Sequence, residues 1–217
     1  MTALGGWLTL AGLGAFHGLN PGMGWLFAVA LGLQRRSRLA VLRALPPIAL
    51  GHALSIGLFA AVVLLARAAL PQPALRWGTA MALGGFAVFR LWRKKHLTWV
   101  GMQVGFRDLT LWSFLMATAH GAGLMLAPVL LGSSIICGVA GGVGWAGWVN
   151  GGIAADSVLS GVAAVAVHTA AHLGVTALLA FLVYEVIGLR VLRQAWFNID
   201  RVWGVSLLVM AGLVALK

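Results

Sequence analysis

The chain has 217 residues, of which 61% are apolar and 9% charged. A soluble domain carries roughly 25% charged residues to meet water, so this composition excludes an ordinary soluble fold and turns most of the exterior to lipid. Fifteen Lys and Arg oppose four acids, but the bases stand in short clusters between apolar runs, which speaks against a nucleic-acid surface and for the rims of membrane spans.

Cys137 is the one cysteine, which excludes an internal disulfide and any Cys-x-x-Cys redox or zinc motif. The first basic residue is Arg35. No positive region precedes the first apolar run, so that run is expected to stay in the protein as a span, not to be cleaved as a signal peptide.

A helix needs about 20 residues to cross a hydrocarbon core about 30 Å thick. Six apolar runs meet or approach that length, over 5–33, 44–68, 75–92, 110–131, 157–187 and 202–216. The runs are continuous, without the alternation of a barrel strand, so the expected class is an all-α integral membrane protein. The first run contains Asn20-Pro21-Gly22 and is expected to break there, because Pro21 has no N–H for the carbonyl of His17. Pro128 does the same for the carbonyl of Leu124 in the fourth run. Pro46-Pro47 and Pro71 to Pro73 stand near expected span ends. The apolar, glycine-rich segment 133–156, with Trp145 and Trp148, is expected outside as a surface element or lid.

Twelve basic residues fall on one side of these spans: Arg35 to Arg43, Arg90 to Arg107, and Arg190, Arg193 and Arg201. Arg67, Arg76 and Lys217 fall on the other. The positive-inside rule assigns the twelve to the cytoplasm, which puts the protein in the cell's inner (plasma) membrane with both termini outside. Trp7, Trp77, Trp92, Trp112 and Trp203 lie near span ends, the usual depth of interfacial indoles.

The order of motifs repeats. Phe16-His17-Gly18 in the first run answers Ala119-His120-Gly121 in the fourth, and Gly51-His52 in the second answers His168 and His172 in the fifth. Each half, about 1–107 and 108–217, then has three spans. An odd number inverts the second half and directs a site to the midplane between them.

Six histidines occur, and His96 lies in the basic cytoplasmic connection as a solvated group. His17, His52, His120, His168 and His172 all fall within ~6 Å of one plane at a rise of ~1.5 Å per residue. Any one of them could simply join two helices by donating to a carbonyl. Five at one depth on four spans is the pattern of a centre, because polar groups there normally face a partner or cavity. His168 and His172 share one helical face. Imidazole suits Ni, Co, Zn, Cu and Fe. Asn20 and Ser55 are candidate neutral oxygen donors, and Met23 and Met125 candidate sulfur donors for copper. No carboxylate falls at that depth, which disfavours hard ions such as Mg²⁺ or Ca²⁺.

The strings His17-Gly18-Leu19-Asn20-Pro21-Gly22-Met23 and Gly51-His52-Ala53-Leu54-Ser55 resemble the nickel/cobalt efflux (NicO-like) permeases of the lysine-exporter superfamily. By position the resemblance covers His17, Asn20, Pro21, Gly22 and His52. Asn20 stands where an acid is usual, and Met23 where a second His is usual. It implies an efflux permease with its site in the first two spans of each half.

Two functions follow. One is a transporter that moves a transition-metal cation through the histidine cluster with protons exchanged on imidazole. The other is a membrane metalloenzyme or electron carrier with a permanently bound metal or haem, the 133–156 segment serving as its lid. A structural subunit whose histidines only bridge helices is a third. The expected partners are a metal ion, protons and the bilayer; assembly into a homo-oligomer or larger complex stays open.

Overall fold

The computed structural model describes residues 3–92, 104–130, 155–187 and 199–216. Among them every regular element is helical. The chain runs as α1 (Ala3–Leu19), a 3₁₀ turn (Pro21–Met23), α2 (Trp25–Arg35), α3 (Arg38–Ala69), α4 (Gln72–Trp92), α5 (Phe106–Ala119), α6 (Ala122–Leu130), α7 (Ala155–Leu182) with a π-helical turn (Val183–Ile187), and α8 (Ile199–Ala215). Two stretches, Arg38–Val63 and Gly161–Val186, are long and apolar enough to cross a membrane, and Val202–Ala215 is a shorter apolar helix. His96, Trp145, Trp148, Cys137 and the 133–154 stretch lie outside the described residues.

The break at Pro21 has a local cause. Asn20 is extended (φ −70°, ψ 121°), and its Oδ1 accepts the Gly22 N–H at 2.9 Å. The His17 carbonyl, deprived of its helical partner by Pro21, is taken up by the Asn20 N–H at 3.1 Å. The indole N–H of Trp25 donates to the Leu19 carbonyl at 3.2 Å. Gly24 then turns the chain into α2 at φ +128°, a conformation that costs glycine little.

Three expectations about prolines and spans need correction. The fourth run is interrupted at His120-Gly121, where Gly121 takes φ +67°; Pro128 lies inside α6. α3 starts at Arg38, ahead of the expected 44, so Pro46 and Pro47 sit within a continuous helix. The two prolines occupy its third turn, where the helix runs on at the cost of the bonds that their missing N–H groups would have made. Trp203 is 1% exposed and no interfacial anchor, unlike Trp77 and Trp92.

α1 packs along α7, α3 along α5, and α4 along α8, while α3 and α7 also meet each other. Small residues permit the closest approaches. A Cβ on Gly14 would stand 2.2 Å from the His168 carbonyl oxygen, and one on Gly51 would stand 2.2 Å from the Thr110 carbonyl oxygen. Close backbone contact through glycine is the packing mode expected where helices gain little from burying apolar surface against each other.

The buried side chains fall into three apolar clusters. One gathers Leu10, Ile56, Ala60, Leu126 and Ala164. A second gathers Trp25, Val29, Val41, Ile48, Leu109 and Ala180. A third gathers Met23, Leu83, Ala87, Met125, Trp203 and Leu207. α3 and α7 each pass from the first cluster to the second, and the histidines occupy the stretch between: His52 separates Ile48 from Ile56, and His168 and His172 separate Ala164 from Ala180. At the far end of the second cluster, Arg38 Nε and Nη2 meet the Glu185 carboxylate at 2.6 and 2.9 Å, tying the start of α3 to the π turn.

Replacing Gly51 by Ala is expected to destabilise the fold by about 1–3 kcal/mol, through overpacking against α5. Gly57 has open space around it, so Gly57→Ala is expected to be neutral or stabilising by up to about 1 kcal/mol. Thermal unfolding of the two variants in detergent distinguishes them.

Candidate functional site: a buried histidine cluster

His17, His52, His168 and His172 are each 0% exposed, and His120 is 2% exposed. His52 stacks on His172 with ring centroids 3.8 Å apart and planes within 5°. His52 and His168 are 5.6 Å apart, also parallel. His17 meets His168 edge-on at 4.9 Å and His52 at 5.8 Å. Four imidazoles from α1, α3 and α7 therefore form one contiguous group. His120 stands beside it at the break between α5 and α6, where its Cε1 lies 3.4 Å from the position a Cβ on Gly22 would take. The interruptions in the first and fourth runs thus face each other.

The hydrogen bonds fix some of the rings. His17 Nδ1 is 2.7 Å from the Leu13 carbonyl, and His120 Nδ1 is 2.8 Å from the Met116 carbonyl. A carbonyl only accepts, so Nδ1 carries the proton in both and Nε2 of a neutral ring keeps its lone pair. These bonds run back one turn along each histidine's own helix. His17 Nε2, both nitrogens of His52, both of His168 and Nδ1 of His172 are buried without a hydrogen-bond partner. Buried polar atoms are normally paired, and this concentration of unpaired nitrogens is what marks the site.

The other residues singled out in the sequence are mostly engaged elsewhere. Asn20 Oδ1 caps the 3₁₀ turn, leaving its buried Nδ2 without a partner. Ser55 Oγ is 2.9 Å from Thr118 Oγ1, which donates to the Phe114 carbonyl. Met23 and Met125 pack in the third apolar cluster beside Leu83 and Trp203. Pro21 and Gly22 form the break itself.

Three residues belong to the site that the sequence did not single out. Trp203 stacks on Phe16 at 5.0 Å, meets His17 edge-on at 4.5 Å, and donates its indole N–H to the His120 carbonyl. Thr176 Oγ1 is 3.5 Å from His172 Nε2. Met116 brings its terminal methyl to within 3.4 Å of the Gly22 position, alongside the His120 ring. Thr176 and Met116 were discoverable, each being four residues from a histidine on one helical face. Trp203 had no local signal, since its contacts lie 83 and 186 residues away.

Among the described residues no group of three or more His, Cys, Asp or Glu side chains is arranged to hold a metal ion. The reason is visible in the stacking. Parallel rings present faces to each other, so the lone pairs of His52 and His172 do not point at one spot. Ring rotation is needed before three of these nitrogens could share an ion. No family model, curated protein or solved structure matches the chain. The likeness to nickel/cobalt permeases therefore rests on the quoted strings of the first two helical stretches.

Trp203→Phe keeps a ring on Phe16 but leaves the His120 carbonyl without its donor. It is expected to cost about 1–2 kcal/mol, whereas Trp77→Phe, at an exposed position, should change stability by less than about 0.5 kcal/mol. Denaturation monitored by tryptophan fluorescence or circular dichroism in detergent measures both.

Proposed function

We propose that this chain is a six-span membrane carrier that exports a transition-metal cation through the histidine cluster, with protons exchanged on the imidazoles. The observation that carries the reading is the group of four fully buried rings from three helices, with six unpartnered nitrogens, lying between two apolar clusters. A carrier needs a polar waypoint that apolar packing closes from both sides. The stacked, non-convergent rings suit an ion that is held briefly and released.

Two inverted three-helix halves are part of the proposal. If α1, α3 and α4 correspond to α5, α7 and α8, the packing of α1 on α7 has its counterpart in α5 on α3, and the remaining pairs, α3 with α7 and α4 with α8, map onto themselves. Both first segments are interrupted just after a histidine, and both of those histidines bond to the carbonyl four residues back. Such interrupted helices are tolerated in lipid where they line a cavity or a site. The basic clusters argue for a multi-pass inner-membrane protein with both termini outside. A permanently bound metal or haem, the second reading, has less support, because a resident centre holds its ligands in convergent geometry.

Proteoliposomes carrying the purified protein are expected to accumulate or release a transition-metal ion. The His52→Ala/His172→Ala pair is expected to lower the rate on the order of ten- to a hundred-fold. Equal rates for the wild type and the double variant would remove the histidines from the mechanism. Reporter fusions after residues 36 and 70 should report cytoplasm and exterior respectively; the same side for both refutes the orientation.

A further inference from the structure

We infer that the cation taken by the histidine cluster is a soft monovalent one of the Cu⁺ or Ag⁺ type, in place of a divalent Ni²⁺, Co²⁺ or Zn²⁺. The inference rests on the carrier reading and narrows it to a substrate class.

Charge is the first reason. The energy lost on moving an ion out of water grows with the square of its charge, so a divalent ion loses about four times as much as a monovalent ion of equal radius. Only opposite charge in the site offsets that loss, and among the described residues the cluster has none. Glu185 is engaged by Arg38. Asp108 caps the exposed start of α5 through the Gly105 N–H. Asp156 is twelve residues before His168, ~18 Å along the helix. Asp200 stands at the start of α8, three residues before Trp203 in the sequence. The groups around the cluster are neutral imidazoles and the Trp203 indole, which meets His17 edge-on.

Ligand number is the second reason. A closed-shell monovalent ion of this type is satisfied by two donors in line, whereas Zn²⁺ takes three or four. Two nitrogens placed on either side of an ion leave their ring centroids about 6 Å apart, by addition of bond lengths of about 2 Å to the ring radius. His17 and His52, at 5.8 Å with planes 68° apart, have that spacing, and ring rotation is the step that brings their two lone pairs into line. His17 is already fixed for the role, since its Nδ1–H on the Leu13 carbonyl directs the Nε2 lone pair away from its own helix. A backbone carbonyl holding the far nitrogen is the usual support for a ligating histidine.

Softness is the third. Met116 reaches the same break as His120, its terminal methyl within 3.4 Å of the Gly22 position, whereas Met23 and Met125 pack in the third apolar cluster. Thioether sulfur selects monovalent copper over harder divalent ions. Met116, whose terminal methyl and the His120 ring meet the same Gly22 position, is the assigned sulfur donor.

The test is a titration of the full-length protein in detergent with Ag⁺, with Cu⁺ under reducing, chloride-free conditions, and with Ni²⁺, Co²⁺ and Zn²⁺, followed by competition between them. Ag⁺ and Cu⁺ are expected to bind at least about ten-fold more tightly than any divalent ion, with X-ray absorption showing two or three nitrogen or sulfur neighbours. Met116→Leu, which keeps the packing, is expected to weaken Ag⁺ several-fold while leaving thermal stability unchanged. Asp200→Asn should preserve the order of affinities. Divalent ions binding as tightly as Ag⁺, or a preference that Asp200→Asn reverses, would overturn this inference and leave the carrier standing. Absence of binding by every ion would overturn the carrier reading itself.

Discussion

The architecture is organised around a polar group placed where polarity is expensive. Four imidazoles lie wholly out of contact with solvent, and six of their nitrogens make no hydrogen bond. Each unsatisfied atom costs on the order of 1–3 kcal/mol, and a chain selected only for stability would replace them with leucine. The apolar clusters above and below supply the burial that holds this layer in place.

The interruptions follow from the same constraint. A straight first helix would leave His17 beside a closed backbone. Breaking it at Asn20-Pro21 and breaking the fourth run at Gly121 brings two helix interruptions together next to the rings. Each freed carbonyl is then re-used: the Asn20 N–H takes the His17 carbonyl, Trp25 takes Leu19, and Trp203 takes His120. Backbone groups buried inside a helical bundle cannot be left to water, so one backbone N–H and two indole N–H groups replace the missing helical bonds. Trp203 in particular joins the last helix to both interruptions at once.

The close contacts of α1 with α7 and of α3 with α5 through Gly14 and Gly51 set the distances between rings. With larger residues at those positions the helices would stand farther apart, and His17 would lose its edge contact with His168. Packing and site are therefore linked: Gly14, seated against the His168 carbonyl of α7, lets His17 approach the His168 ring to 4.9 Å. The Arg38–Glu185 pair, partly exposed, adds little stability by itself, but it ties the start of α3 to the irregular end of α7.

Much of this was legible in the residues. Composition demanded helices with apolar exteriors, and the chain is helical throughout the described residues. Pro21 with Asn20 and Gly22 marked the first interruption, because a missing N–H is a local fact that no packing can restore. The shared depth of the five histidines followed from helical rise alone. Other features were decided only by the tertiary structure. Pro46-Pro47 could be carried within a helix, and Gly121 could break one more effectively than Pro128, because neighbouring helices fix which strain is tolerated. Asn20 and Ser55 looked like donors to the site but are bound by Gly22 and Thr118, since small polar side chains first satisfy whatever lies within reach. That His52 lies flat on His172, and that Trp203 comes from the far end of the chain to hold His120, depends on how helices distant in sequence cross. A one-dimensional pattern fixes height along a helix, but rotation and contact between helices are settled only when all of them are packed together.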